Sequence, residues 1–187
     1  RQGVTFEFDN TIEGIEIFYR LFVRTRSSMG IPPFPRALFS EIHAHLIRAG
    51  KACLALVKKD GTPINAMISL FSGESFIPAY AAPQNVWRKC YPSEVMFWHT
   101  IEWAAKHGFR YYDFGADSPR QTGLLRFKRK WGGIQHPMYS VSRTYRGETV
   151  PDFDSSGPAF VLMRSVWKRL PVSLSQSMGG WITKQMS

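Results

Sequence analysis

The chain has 187 residues, of which 44% are hydrophobic, 14% aromatic and only 20% charged. That is enough apolar material for one well-buried domain, and it excludes a disordered or fibrous class. The 24 Lys and Arg against 14 Asp and Glu leave a formal charge of +10, which favours anionic partners: nucleic acid, phosphate-bearing precursors, coenzyme A or an acidic membrane surface. No stretch approaches the roughly 18 consecutive apolar residues of a membrane span, and no signal peptide is visible. Because the first residue is Arg1 rather than Met, a lost upstream targeting segment is left open. Two cysteines, Cys53 and Cys90, form neither a disulfide framework nor a metal spacing. A reducing cytoplasm is the expected compartment.

In chain order, Gly3 to Phe8 reads as a short strand, and Asp9 or Asn10 can cap a helix that begins near Ile12. Ile12, Ile15, Phe18, Tyr19, Phe22 and Val23 form its apolar stripe, and Arg26 falls in that stripe one turn on. A cation there either complements the helix dipole or faces a cleft and holds an anionic group. Gly30 and the run Pro32-Pro33-Phe34-Pro35 stop the helix, and a second helix is expected from about Arg36 to Ala49. His43 and His45 lie on different faces of it, which argues against a zinc pair.

A β meander follows: Ala52 to Val57, a turn at Lys59 to Thr62, Ile64 to Phe71, then Phe76 to Ala81 ending near Tyr80. These strands are apolar on both faces, so helices are expected on both sides of the sheet. Pro83 to Tyr91 reads as a loop with two cations. Ser93 is the expected N-cap of a helix from Glu94 to His107, stopped by Gly108.

The most informative stretch is Tyr111 to Gly133: a strand stopped by Gly115, a Ser-Pro turn, then a cationic helix closed by Gly132-Gly133. On a helical wheel Phe127, Lys128 and Trp131 fall within about 60° of Leu124, while Arg126, Arg129 and Lys130 point the other way. Lys128 therefore sits among apolar neighbours, either snorkelling out along them or held there for a polar task. Beyond it, Pro137 to Arg143 or Thr144 reads as a returning strand with a turn at Arg146 to Glu148. Residues 151–158 read as a linker, and a basic amphipathic helix is expected from Pro158 to Leu170. Residues 1–150 are thus expected to form the domain, with 151–187 as linker, helix and tail packed on it.

The run Asp113-Phe114-Gly115, Gly123-Leu124-Leu125, Phe127-Lys128 and Trp131-Gly132-Gly133 resembles the C-terminal half of FemAB-like acyl or aminoacyl transferases, built from GNAT-like domains. Phe18-Tyr19-Arg20, Thr25 to Gly30, Phe34-Pro35-Arg36 and Trp167 to Gly180 are similar to the branch associated with exosortase and exopolysaccharide systems. The resemblance implies an α/β GNAT-like fold, a mixed but mostly antiparallel sheet flanked by helices. It also implies acyl transfer to an amine of a cell-envelope peptidoglycan or polysaccharide precursor. No tightly bound cofactor or metal is expected, the donor substrate being acyl-CoA or aminoacyl-tRNA. The expected partners are that donor, a glycan or peptide acceptor, an N-terminal GNAT-like half, and a peripheral contact with the inner face of the membrane.

Such a reaction needs positioning, a route for the amine's proton, and positive charge where the oxyanion develops. The resemblance assigns the last role to Lys128, and Asp113 or Asp117 can receive the proton, although strand-end aspartates also cap loops. Arg26, Tyr80, Arg120, Phe127 and Trp131 are the substrate-binding candidates. The GNAT coenzyme A signature [Q/R]-x-x-G-x-[G/A] is met only in part by Arg120 to Leu125, where leucine replaces the small residue that lets phosphates reach backbone N–H groups. The alternative is a catalytically inactive GNAT-like module that binds nucleic acid or another polyanion through its charge.

Overall fold

The computed structural model describes residues 3–139, 141, 164–165 and 167–169. Five strands lie in sequence order in one sheet: β1 (Val4–Phe8), β2 (Ala52–Lys59), β3 (Thr62–Ser72), β4 (Ser75–Ala81) and β5 (Tyr111–Tyr112). The first four pair antiparallel and β5 joins β4 in parallel, because the fifteen-residue helix α3 (Pro92–Lys106) supplies the crossover a parallel neighbour needs.

The two faces of the sheet are covered by different helices, as strands apolar on both sides require. Leu54, Leu56, Ala66 and Ile68 point to one face and meet α1 (Ile12–Met29) and α2 (Arg36–Ile42) through Ile15, Phe18, Phe22 and Phe39. Ala55, Val57, Ile64 and Met67 point to the other and meet Met96 of α3. The aromatic residues dominate this burial: Phe39 lies edge-on to Phe18 and Phe22, each with centroids 5.0 Å apart, a geometry that adds about 0.5–1.5 kcal/mol per pair to area burial.

Local details depart from the sequence expectation for physical reasons. Thr11, not Asp9 or Asn10, caps α1, its Oγ1 accepting from Gly14 N at 3.0 Å. Asp9 instead accepts from the Thr11 hydroxyl, and Asn10 Oδ1 accepts from Leu54 N, tying the cap to β2. The second helix does not run on to Ala49 as an α-helix. It continues as a π-helical stretch, His43–Ile47, with Arg48 N donating to His43 O. Residues five apart sit about 140° apart on an α-helix. The wider turn brings Ile42 and Ile47, both buried, toward one face.

The expected strand at 110–114 is only two residues long. Asp113 N still reaches Phe76 O at 2.9 Å, but the next donor toward β5 belongs to Pro78, which has no N–H to give. The β4–β5 ladder stops there and the strands part while β4 runs on to Ala81.

The cationic helix forms as expected, as α4 (Thr122–Lys130). The returning strand, the turn at 146–148 and the linker at 151–158 fall largely or wholly outside the described residues. Pro137, Met138 and Tyr139 are described, are in no strand and are exposed. Of the C-terminal helix, 164–165 and 167–169 are helical. Trp167 is buried and Arg164 Nε donates to Met29 O at 3.3 Å, placing this turn at the end of α1.

Candidate active site

A cleft of about 470 Å³ opens between the segment after β4, the start of α3 and Phe127 of α4. Its floor is fixed by Gln84, whose side-chain amide donates to Leu21 O and Thr25 Oγ1, both at 3.1 Å, while its backbone N reaches Ile64 O. The expected loop at 83–91 contains a 3₁₀ helix, Asn85–Cys90, carrying Arg88 and Lys89 into the cleft lining.

The start of α3 lacks the expected Ser93 cap. Tyr91 occupies the cap position in a left-handed conformation, φ 52°, and no side chain caps the helix. Pro92 has no N–H, and the N–H groups of Ser93 and Glu94 find no partner among the described residues, while Asn65 Nδ2 clamps Pro92 O to β3 at 3.2 Å. An uncapped helix start with two cations beside it favours an anionic group. Sequence reasoning noticed both cations but placed the phosphate signature at Arg120 to Leu125, which lies after β5 at the start of α4. Arg120 is exposed there, its backbone N donating to Ser118 Oγ.

On the α4 side, Lys128 is held rather than snorkelling. Its Nζ donates to Phe114 O at 2.5 Å and more loosely to Gly115 O at 3.3 Å, and it pairs with Asp117 Oδ2 at 2.5 Å. The lysine side chain is 15% exposed and the aspartate 10%. Phe127 meets Phe97 of α3 edge-on at 5.3 Å, and Phe97 also stacks on Phe114 and lies 6.3 Å from Trp131. The Trp131 indole N–H is buried there without a partner among the described residues. Asp113 is exposed and its Oδ1 accepts from Gly115 N at 2.8 Å, an Asx turn that shapes the loop presenting carbonyls to Lys128.

Lys128, Asp113, Phe127 and Trp131 are thus gathered around one loop and one helix. Arg26 and Tyr80 are not among them. Arg26 forks onto Pro32 O through Nε and Nη2, at 3.1 and 2.9 Å, and stacks over Phe34 at 5.1 Å. Burial lowers its pKa from the ordinary value, but a guanidinium stays charged. Tyr80 lies edge-on to Phe39 at 5.3 Å in the same cluster. That cluster covers the α1 face of the sheet, whereas Lys128 is attached on the α3 side.

The fold is thus an α/β domain with a mixed sheet whose β4 and β5 part beyond Asp113, and the start of α3 opens onto a cationic cleft. The acetyltransferase (GNAT) domain profile matches residues 1–129, and the chain belongs to that family of transferase enzymes. It is 29% identical over 119 residues to the lipid II:glycine glycyltransferase of Staphylococcus haemolyticus, covering 59% of this chain and 26% of that protein. The corresponding Staphylococcus saprophyticus protein is 25% identical over the same length and shares. The crystal structure of FemX superposes with a TM-score of 0.62 at 20% identity, over 71% of this chain and 50% of that one. The aminoglycoside acetyltransferase AAC(6')-Iy, solved with a bisubstrate analogue, superposes at 0.59 and 11% identity, over 76% and 98%. The chain spans about a quarter of the length of the curated relatives it matches.

Proposed function

We propose that this chain is the acyl-transfer domain of an enzyme that moves an acyl or aminoacyl group onto an amine of a cell-envelope precursor, a peptidoglycan precursor before a polysaccharide one. The observation that carries this reading is the cleft that follows β4, with an uncapped α3 start and Arg88 and Lys89 on one wall and Phe127 on the other. The names of the staphylococcal relatives support a lipid-linked amine as acceptor. The donor carries its acyl group on a phosphate-bearing handle, acyl-CoA being the first candidate and aminoacyl-tRNA the second. Its phosphates would lie against the Ser93 and Glu94 N–H groups.

In this reading the acceptor amine attacks the donor's carbonyl carbon, the carbonyl oxygen gains the negative charge, and the carrier leaves when the tetrahedral species collapses. Lys128 meets that charge by exchanging its loose 3.3 Å contact with Gly115 O for the oxyanion, while Asp117 and Phe114 O keep the ammonium in place. Asp113 takes the amine's proton on its second carboxylate oxygen. We assign no step to Arg26 or Tyr80, and a further GNAT-like half, within the length of the relatives that this chain does not span, would complete the acceptor site.

The test is transfer by the full-length protein, followed by mass spectrometry, from acyl-CoA or aminoacyl-tRNA to a peptide-bearing precursor. Saturable use of one donor with modest salt dependence supports the proposal. Equal binding of every polyanion, weakening steeply with salt and without product, would make this a polyanion-binding module instead.

A further inference from the structure

From Ser118 to Gly147 the sequence contains seven Lys and Arg and no Asp or Glu. Lys128 turns inward, but Arg126, Arg129 and Lys130 lie on the exposed side of α4. Arg126 and Lys130 have no ion-pair or hydrogen-bond partner among the described residues. Arg129 Nη2 donates to Gln135 Oε1 at 3.0 Å, which ties the segment following α4 to the last turn of the helix. On that segment Ile134, Met138 and Tyr139 are 83%, 80% and 85% exposed. Single exposed apolar side chains are ordinary, but several on a segment tied through Gln135 to a cationic helix face mark an interaction surface.

We propose that α4 and residues 134–139 form an interfacial patch that seats this domain on an anionic lipid surface. Arg126, Arg129 and Lys130 meet the headgroup phosphates, and Ile134, Met138 and Tyr139 enter the boundary with the acyl chains. The occupant follows from the combination. Nucleic acid would satisfy the cations and leave the aliphatic side chains in water, and an apolar protein groove would do the reverse. A lipid interface takes both. The patch does not depend on the proposed reaction. If that reaction holds, the patch shares α4 with the cleft residue Phe127, so a membrane-borne acceptor would arrive beside the donor.

The test is flotation of the whole chain with vesicles of phosphatidylcholine, with and without phosphatidylglycerol. Binding is expected only to the anionic vesicles and should weaken with salt. Each cation contributes about fivefold near such a surface, so Arg126→Glu with Lys130→Glu should weaken binding at least about 25-fold. Ile134→Ser with Met138→Ser should weaken it about tenfold while leaving the salt dependence unchanged. All four positions are exposed, so thermal stability should hold. As a second readout, Ile134→Trp should show a blue-shifted emission when phosphatidylglycerol vesicles are added. Equal binding to both vesicle types, binding indifferent to either pair of substitutions, or a salt-sensitive complex with RNA alone would overturn the proposal. So would a dimer that the serine variant dissociates in the absence of vesicle binding.

Discussion

Replacing Lys128 by Met removes the ammonium while keeping most of the side chain's bulk. What remains is a carboxylate only 10% exposed with no counter-ion, and two carbonyls, of Phe114 and Gly115, with no donor. Breaking a buried pair from one side costs about 3–5 kcal/mol. Asp117 retains a little access to water, so the lower end applies, about 3 kcal/mol, or a fall in Tm of roughly 6–12 °C for a domain of this size. Removing both charges with Lys128→Met and Asp117→Leu should restore stability to within about 1 kcal/mol, because no charge is then left stranded. Urea unfolding of wild type, single and double variants, with the slope checked for constancy, measures the difference. A single variant within about 0.5 kcal/mol of wild type would refute the buried-pair reasoning and return Lys128 to a solvated, weakly coupled role. The catalytic effect of Lys128, expected to be 10²–10³-fold on turnover with little change in donor KM, has to be measured well below the variant's Tm.

Arg88→Glu with Lys89→Glu should raise the donor KM about tenfold or more with kcat little changed, since these cations act on the donor's handle and not on the reacting carbonyl; steady-state kinetics against acyl-CoA decide it. Gly30 has φ 72°, and an added Cβ would lie 2.5 Å from Arg164 O, so Gly30→Ala should cost more than about 2 kcal/mol by thermal unfolding, through left-handed strain and a backbone clash together. Burial raises the Cys53 thiol from an ordinary 9.0 to about 12. The folded state therefore holds this proton more tightly than the unfolded one, and the contribution is full below about pH 9 and fades as pH rises toward 12. Iodoacetamide at pH 8 should label the half-buried Cys90 in the native chain and spare Cys53, while Cys53→Ala should flatten the alkaline fall in stability.

The apolar runs of β2 and β3, the stripe of α1 and the glycines at 30, 108 and 132 were legible because each is set by neighbours within a few residues. The GNAT-like architecture was what the resemblance to FemAB-like proteins implied. The partners of Lys128 were not legible. A helical wheel places the lysine among Leu124, Phe127 and Trp131, but whether its ammonium escapes to solvent depends on where the 113–117 loop lies, and that is set by Phe114 stacking on Phe97 of a different helix. Arg26 shows the same limit from the other side. Its position in the apolar stripe is evident, yet the Pro32 carbonyl that occupies its fork is presented by a turn whose path is governed by Phe34 stacking on Phe22 at 6.2 Å.

Pro78 carries the point furthest. Within a strand it signals an edge or a lost ladder bond, but which neighbour loses the bond depends on register. With Ser69 opposite Pro78 and Phe71 opposite Phe76, the residue's missing N–H faces β5 rather than β3, so the antiparallel meander is untouched and only the parallel pair is interrupted. The consequence is a test of how the cleft arises. Pro78→Val would restore the donor that Asp113 O lacks, in a residue type that favours extended backbone. β5 should then lengthen by one or two residues and draw the 113–117 loop toward β4, narrowing the division. Amide exchange at position 78 should become protected, stability should rise by up to about 1 kcal/mol, and donor binding should weaken because the opening between the strands is lost. If the variant binds donor as the wild type does and its new amide exchanges freely, the division is held open by the packing of α4 and not by the proline, and the origin of the site would have to be sought there.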